Sequence, residues 1–486
     1  MTRYTVTFMP ENISVSVEEG ATLLSAQIAA GLKPDAPCGG KGTCGKCRVA
    51  LEDGAAALAC QTPVTRDMTV TAARTGGVNI LTGGLDVHTA PDGQDRYALA
   101  YDIGTTTVVC YLLDGRSGAA LADASCLNPQ SQYGADVISR IQHALDGGGA
   151  ALAGCIRAAL GDLARQAAGR AGVDAGDITC AAIVGNTAMH HLLLGIDPRP
   201  LVTPPYMPVA FEAMDVPGEE LLGIPCRARI LPNIAGFVGG DTVGCMVATR
   251  FDALEDMTLM IDIGTNGEMV LGDRRRRVAC STAAGPAFEG AKISCGMRGA
   301  PGAVDHVWLE DGRLRHHVIG GVRGAGLCGS GLLDLVACLL DAGVIDESGH
   351  MDGDYPLEDS DVVLTRKDVR EVQLAKAAIR AGIELLAQRL GVAVGDIRRV
   401  LLAGAFGNYL NPASACRIGM IPPALLARIV PIGNAAGEGS KLCALSRAEF
   451  DYSRALARET EFLELASLPQ FQDCYVDALE FTEDEA

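Results

Sequence analysis

The sequence predicts an α/β protein in two parts: a small α+β domain, then a larger two-lobed α/β domain. Three observations predict it. Strand-like alternation in "RYTVTFMP" and "ISVSVEEG" is followed by helical spacing in "ATLLSAQIAAG" and then by a loop crowded with cysteines. The string D-I-G-T occurs twice, beginning at Asp102 and again at Asp262, 160 residues further on. A hydrophobic run, "IRRVLLAGAFGNYLNP", leads into a third glycine-rich segment near residue 404. At 486 residues the chain is too long for one core. The expected division is 1–78, a linker over 79–96, a first lobe over 97–250 and a second lobe with a C-terminal segment over 251–486.

Composition narrows the class. Apolar residues make up 48% and charged residues 20%, an ordinary balance for a globular chain. Aromatic residues are only 4%, so Ala, Leu and Val must fill the cores. No apolar run is long enough to span a membrane, and "MTRYTVTFMPENISV" lacks the apolar stretch of a signal peptide. The expected location is therefore cytoplasmic, with no membrane partner. A net charge of −19 argues against a nucleic-acid partner. The basic run "DRRRRV" at 273–278 reads as a solvated hairpin turn. The 17 cysteines are odd in number and sit in apolar runs such as "VVCYLL" and "LVACLL", so most read as buried small hydrophobes. The pairs His190–His191 and His316–His317 have no third ligand at a recognisable spacing.

In the first eighty residues the two strands form a hairpin through "PEN", and the helix ends at Gly31. After the cysteine loop come a strand-like "CRVALED" and a second alternating stretch, "DMTVTAA". Strand, strand, helix, loop and strand is the layout of a β-grasp ferredoxin. Cys38, Cys44, Cys47 and Cys60 have the spacing C-x5-C-x2-C-x12-C. Four soft thiolates suit zinc or an iron–sulfur cluster. Zinc ribbons favour two C-x2-C knuckles, and only one is present. The glycines between the ligands, Gly39, Gly40, Gly42 and Gly45, let backbone amides turn toward cluster sulfurs. That pattern favours a 2Fe–2S cluster over zinc, although the last interval is shorter than in plant-type ferredoxins.

"GGVNILTGGLDVHTAPDGQDR" has little periodicity and reads as a linker. Beyond it, "YALAYDIGTTTVVCYLLDGRSG" is a buried strand, a turn and a second strand; "MTLMIDIGTNGEMVLGDR" repeats the design. Thr and Gly at such a turn offer hydroxyls and amides to phosphate oxygens, and the Asp before it can hold Mg2+ through water. The glycines of "AGAFG" and of "PIGNAAGEGSKLCAL", read as a turn before a helix, let backbone lie against a flat ligand such as adenosine. Together these elements resemble the ATPase superfamily of acetate and sugar kinases, heat-shock chaperones and actin. The resemblance implies two ribonuclease-H-like halves with ATP between them. It also implies interdomain connections at 178–195 and 326–345.

A narrower resemblance rests on "CGGKGTCGKCRV", "NPQSQYGADVISRI", "VGNTAMHHLLLG", "AGPAFEGAKISCGMRGAPGAV" and "AGAFGNYLNP". These strings are similar to the ATP-dependent reductive activators of corrinoid proteins, over nearly the whole chain. Larger members carry a further small domain where this chain has its linker. The resemblance implies ATP-driven reduction of Co(II) to Co(I) in a corrinoid protein of a methyltransferase system. A low-potential electron donor and a homodimer are implied as well. By motif, Cys38, Cys44, Cys47 and Cys60 ligate the cluster. Asp102, Gly104, Thr105 and Thr106 form the first phosphate turn, and Asp262, Gly264, Thr265 and Asn266 the second. Gly404, Ala405, Phe406, Gly433 and Asn434 surround the adenosine. Asp241 and Glu289 are candidates for Mg2+ or water positioning, against a backbone hydrogen bond. Asn186 either orients the attacking water or caps a helix. The rival readings are a small-molecule kinase with a fused ferredoxin, an activator of 2-hydroxyacyl-CoA dehydratases, and an actin- or chaperone-like binding module.

Overall fold

The computed structural model describes the chain except residues 1, 11, 33, 35, 37–39, 41, 43–46, 53, 73–79, 95, 205 and 482–486. Cys38 and Cys44, with Gly39 and Gly45, lie outside the described residues. Two compact units form, 1–78 with 129–143 and 79–128 with 144–486.

In the first unit β1 (Arg3–Met9) pairs antiparallel with β2 (Ile13–Glu18), Val6 opposite Val15. Helix α1 (Leu23–Ala29) starts at Thr22, whose hydroxyl accepts the Ser25 amide, an N-cap the sequence spells out. Strands β3 (Arg48–Leu51), β4 (Ala56–Leu58) and β5 (Met68–Ala72) complete a sheet ordered β2-β1-β5-β3-β4, with β1 parallel to β5. This is the β-grasp arrangement. Strand β4 has only three residues, too few for alternation to reveal. Val6, Phe8, Leu23, Ala26, Val49 and Val70 make a core that also takes in Cys47 and Cys60.

The second unit repeats one sheet design. Strands β6 (Tyr97–Ile103), β7 (Thr107–Asp114) and β8 (Ala120–Leu127) form a meander. Helix α2 (Gly149–Ala171) leads to β9 (Ile178–Gly185), which lies parallel to β6, and α3 (Thr187–Leu194) follows. Strands β10 (Met214–Pro217) and β11 (Arg227–Ile230) give the order β10-β11-β9-β6-β7-β8. Helix α4 (Gly240–Thr249) comes next. The second meander is β12 (Thr258–Ile263), β13 (Gly267–Gly272) and β14 (Arg277–Thr282), its β13–β14 turn made by the arginine run. Strands β15 (Ala303–Glu310), β16 (Arg313–Val318) and β17 (Gly326–Leu327) form a small separate sheet, followed by α5 (Gly329–Asp341). A short pair, β18 (Tyr355–Pro356) and β19 (Val363–Leu364), precedes α6 (Arg366–Leu390). Then come β20 (Arg399–Ala403), α7 (Gly404–Tyr409), β21 (Ile429–Gly433), α8 (Ala435–Leu445) and β22 (Glu461–Phe462). The sheet order is β21-β20-β12-β13-β14-β22, in which β21-β20-β12-β13-β14 repeats β11-β9-β6-β7-β8 of the first lobe and the sixth strands, β10 and β22, lie at opposite edges. Strand β20 is parallel to β12 as β9 is to β6.

Three expectations are corrected here. The helices joining the lobes are α4 and α8. They cross with Gly439 so close to the Gly244 carbonyl that no side chain would fit, and their core draws on both sheets: Ala98, Val184, Met246, Met260, Leu401 and Ala436. Segment 178–195 is instead β9 and α3 of the first lobe, and 326–345 is β17 with α5, packed on β15. Their strong apolarity reflects burial on several sides, which does not reveal the neighbour. The glycine-rich "GAFG" and "GEG" lie within α7 and α8, where close packing overrides glycine's low helix propensity.

The described part of the linker is docked along α8. Gly83 carbonyl accepts the Asn434 amide at 2.9 Å, Gly84 bridges Gly433, and Tyr111 donates its hydroxyl to Thr82 carbonyl at 2.8 Å. Further along, Asp92 amide donates to Leu445 carbonyl at 3.0 Å and Thr89 to Glu449 at 3.0 Å. Because most of these contacts use backbone, side-chain periodicity carries no trace of them. A Cβ on Gly84 would lie 2.9 Å from both Asn434 O and Glu438 Cγ. Gly84→Val should therefore undock this end and speed proteolysis within 80–96 about tenfold, the loss of one or two hydrogen bonds. Cleavage at the wild-type rate would contradict the docking.

Candidate functional site

Both D-I-G-T turns meet at one side chain, Glu289. The first closes with Gly104 amide donating to Thr107 carbonyl at 2.9 Å, the second, one residue tighter, with Gly264 amide donating to Asn266 carbonyl at 2.8 Å. Glu289 ends the short 3-10 turn Pro286–Glu289, and its carboxylate accepts from Thr106 at 2.7 Å and from Thr265 at 2.5 Å. One side chain thus engages both D-I-G-T turns through hydroxyls. Its neighbour Phe288 stacks on Phe406 with centroids 5.1 Å apart, joining this segment to the start of α7. Gly404, at φ 81°, packs directly over the Asp262 carboxylate, and Ala405 follows it in the helix.

Of the two roles expected of Asn186, the structure shows the helix cap. Its oxygen caps α3 by accepting the Met189 amide at 3.0 Å, and its amide donates to Thr105 Oγ1 at 3.0 Å. Asp241 lies in the first turn of α4 and accepts the Thr242 amide at 2.7 Å. Gly433 pairs with Ala403, beside the Gly404 turn. Asn434 caps α8, donates to Tyr111 Oη at 3.2 Å and hydrogen-bonds Asp102, which turns it toward the carboxylates.

Those carboxylates are the chief electrostatic feature. Burial pushes Asp102 up to about 7, helped by the charge of Asp241 and opposed by the Asn434 hydrogen bond. Burial, then Asp241 and Asp102, raises Asp262 to about 7. Asp241 rises to about 6, again from burial, against hydrogen bonds from Thr242 and backbone. A fourth member, Glu268, was not anticipated: burial, Asp241 and Asp262 push it well above the carboxylate range. Glu268 is the register partner of Asp262, whereas Asp102 faces Val109 in the first lobe. The repeat is thus chemically unequal. A lone acid directly after the turn of an apolar strand, "GEMVLG", was the available signal. All four residues are partly rather than fully buried.

This cluster predicts a pH dependence. The folded-state values lie above the unfolded carboxylate value near 4, so the unfolded chain ionises first as pH rises. Metal-free protein should lose stability as pH rises from about 4 through 7. A divalent cation should restore more stability at pH 8 than at pH 5.5, and Asp262→Asn should flatten part of the slope. Melting curves at both pH values, with and without Mg2+, check this; an equal Mg2+ effect at the two would contradict it.

In the first unit, Cys47 is 4% and Cys60 6% exposed, both on the apolar core. Gln61, also unanticipated, directs its amide to Cys60 Sγ at 3.7 Å and to Gly40 carbonyl at 3.3 Å. Gly42, at φ 77°, approaches the same amide so closely that a Cβ would lie 2.8 Å from Nε2. Soft thiols in an apolar wall, an N–H on one sulfur and room kept by glycine fit an iron–sulfur cluster. Among the described cysteines no disulfide forms, and Cys280 and Cys443 are wholly buried. His190 and His191 are buried too, bonded to Asn233 and to Thr187 and Val209.

The sequence family described as the 2Fe-2S iron-sulfur cluster binding domain matches residues 6–65. "RACo middle region" matches 97–254, and "C-terminal domain of RACo the ASKHA domain" matches 256–486. The chain is 37% identical over 413 residues to the corrinoid activation enzyme RamQ of Eubacterium limosum, covering 78% of this chain and 69% of that protein. The chain belongs to the reductive activators of corrinoid proteins. A solved structure titled "Reductive activator for corrinoid,iron-sulfur protein" is 29% identical, with 98% of each chain covered and a TM-score of 0.71. A Methanosarcina barkeri protein named as the reductase of a Co(II) methylated amine-specific corrinoid protein is 28% identical over 295 residues, 56% of this chain and 54% of that one. The activator's first domain is accordingly of the 2Fe–2S type and its second of an ATP-binding actin-like fold. Among the described residues no helix is long and apolar enough to cross a membrane.

Proposed function

We propose that this activator uses ATP hydrolysis to drive one electron from a 2Fe–2S cluster onto the cobalt of a corrinoid protein in a methyltransferase system. Co(II) becomes Co(I) while ATP and water become ADP and phosphate. The observation that carries the reading is the cleft in which two Thr-bearing turns, three aspartates and Glu268 converge. The turn hydroxyls suit phosphate oxygens, and the carboxylates suit a hard cation. Among the described residues no three such side chains close around a single point, so a cation would be met partly by water and phosphate, as Mg2+ commonly is.

A bound 2Fe–2S cluster supplies one electron at a time, typically near roughly −400 mV or higher. The chain's own part is to hold it: Cys47 and Cys60 as thiolates, with Cys38 and Cys44 by spacing, and Gln61 as donor to a sulfur. Transfer to a more strongly reducing cobalt is uphill; a gap of ~150 mV costs about 3.5 kcal/mol, from 59 mV per tenfold for one electron. Nucleotide states can offset this by binding the Co(II) and Co(I) partner differently.

The test mixes reduced full-length protein, Mg2+–ATP and a panel of Co(II) corrinoid proteins from one cell, including those encoded nearby. Co(I) should appear as a sharp absorption band or be trapped as methyl-cobalt, and hydrolysis should rise. A panel that neither stimulates hydrolysis nor becomes reduced would overturn the reading.

A further inference from the structure

We propose that Glu289 is a latch that nucleotide displaces: it ties the two phosphate turns together until a metal-complexed polyphosphate takes their hydroxyls. The inference rests on reading this cleft as the ATP site. Thr265 anchors the carboxylate on its own lobe at 2.5 Å, and Thr106 reaches it from the other lobe at 2.7 Å. The Thr106 bond is therefore the one that crosses the cleft.

Each hydroxyl has a single hydrogen, and both are spent on Glu289. A phosphate oxygen is acceptor-only and needs those same hydrogens. A carboxylate has none to offer in return, so nucleotide and Glu289 cannot share the two threonines. Binding must break the cross-cleft bond. The freed carboxylate would also stand beside phosphate oxygens, a like-charge contact that a divalent cation relieves. The latch thus makes the cleft selective for metal-complexed over free nucleotide. Its backbone is held for this by Pro286 at the start of the turn and by the Phe288–Phe406 stack.

The full-length protein serves for the test. Affinity for a non-hydrolysable ATP analogue is measured with Mg2+ and with chelator, and amide exchange is followed over 104–107 and 264–267. In Glu289→Gln the preference for the Mg2+ complex should shrink about tenfold, chiefly because free nucleotide binds better. In Thr106→Val the nucleotide-free 104–107 turn should exchange about tenfold faster, the loss of one charged hydrogen bond, whereas Thr106→Ser should retain protection. A purely structural Glu289 would weaken both nucleotide forms alike and leave their ratio untouched. That ratio unchanged in Glu289→Gln, or exchange unchanged in Thr106→Val, overturns the latch while leaving the ATP site standing. If the wild type binds neither form, the ATP reading has failed first.

Discussion

Asp262→Ala is expected to leave the chain folded and iron-loaded but to cut ATP turnover by at least about 100-fold, the scale of losing a main electrostatic group at phosphate. Asp262 is the penultimate residue of β12, next to the second turn, lies directly under Gly404 and pairs with Glu268 on β13. Its burial near Asp241 and Asp102 is costly by itself and becomes useful when a cation binds. The same change should therefore stabilise the metal-free protein at pH 8, because one of four crowded carboxylates is gone. Gain of apo stability together with loss of turnover is a signature that a merely structural residue would not give. Asp102→Ala should act in the same sense, and more weakly on stability, since Asn434 already supports its charge. Hydrolysis within twofold of wild type in both variants would move the cleft elsewhere.

Cys60→Ser is expected to remove cobalt reduction altogether while nucleotide affinity stays within about twofold. The thiol is buried on the β-grasp core and takes a hydrogen bond from Gln61. A serine hydroxyl is harder, less acidic and shorter, so iron should fall from about two per chain toward none under anaerobic reconstitution. Cys47→Ser should match it. Gln61→Ala should keep the iron and shift the cluster's potential downward, because a donor to the sulfur favours the reduced, more negative state. Stoichiometric zinc in the reconstituted wild type, or cobalt reduction surviving in Cys60→Ser, would sink the electron-transfer role of this domain.

What could be read directly from the chain was what is local in it. The β1–β2 hairpin, the Thr22 cap, the cysteine spacing and the two strand–turn–strand units each lie within a short stretch, so residue order alone specifies them. The D-I-G-T repeat at 160-residue spacing then implies two similar lobes, and the matching sheet orders bear this out. Candidate residues at such turns could be named for the same reason, as with Asp102, Asp262 and Thr106. Glu268 escaped because its meaning depends on facing Asp262 across the strand pair, a matter of register. Glu289 was visible as a candidate, but its engagement with both turns joins positions 183 and 24 residues away.

The tertiary structure alone decided which helices join the lobes, that the linker is docked, and how the carboxylates charge one another. Helices 240–249 and 435–445 are glycine-rich and unpromising by propensity; close crossing at Gly244 and Gly439 makes them helices and makes small residues necessary. The linker's contacts run largely through backbone carbonyls and amides, which every residue carries, so no side-chain pattern announces them. The raised carboxylates follow from burial and mutual repulsion among groups brought from four separate elements. Sequence therefore fixed which chemical groups were present and which short turns bear them; only the folded chain set their distances, and charge interaction depends on distance.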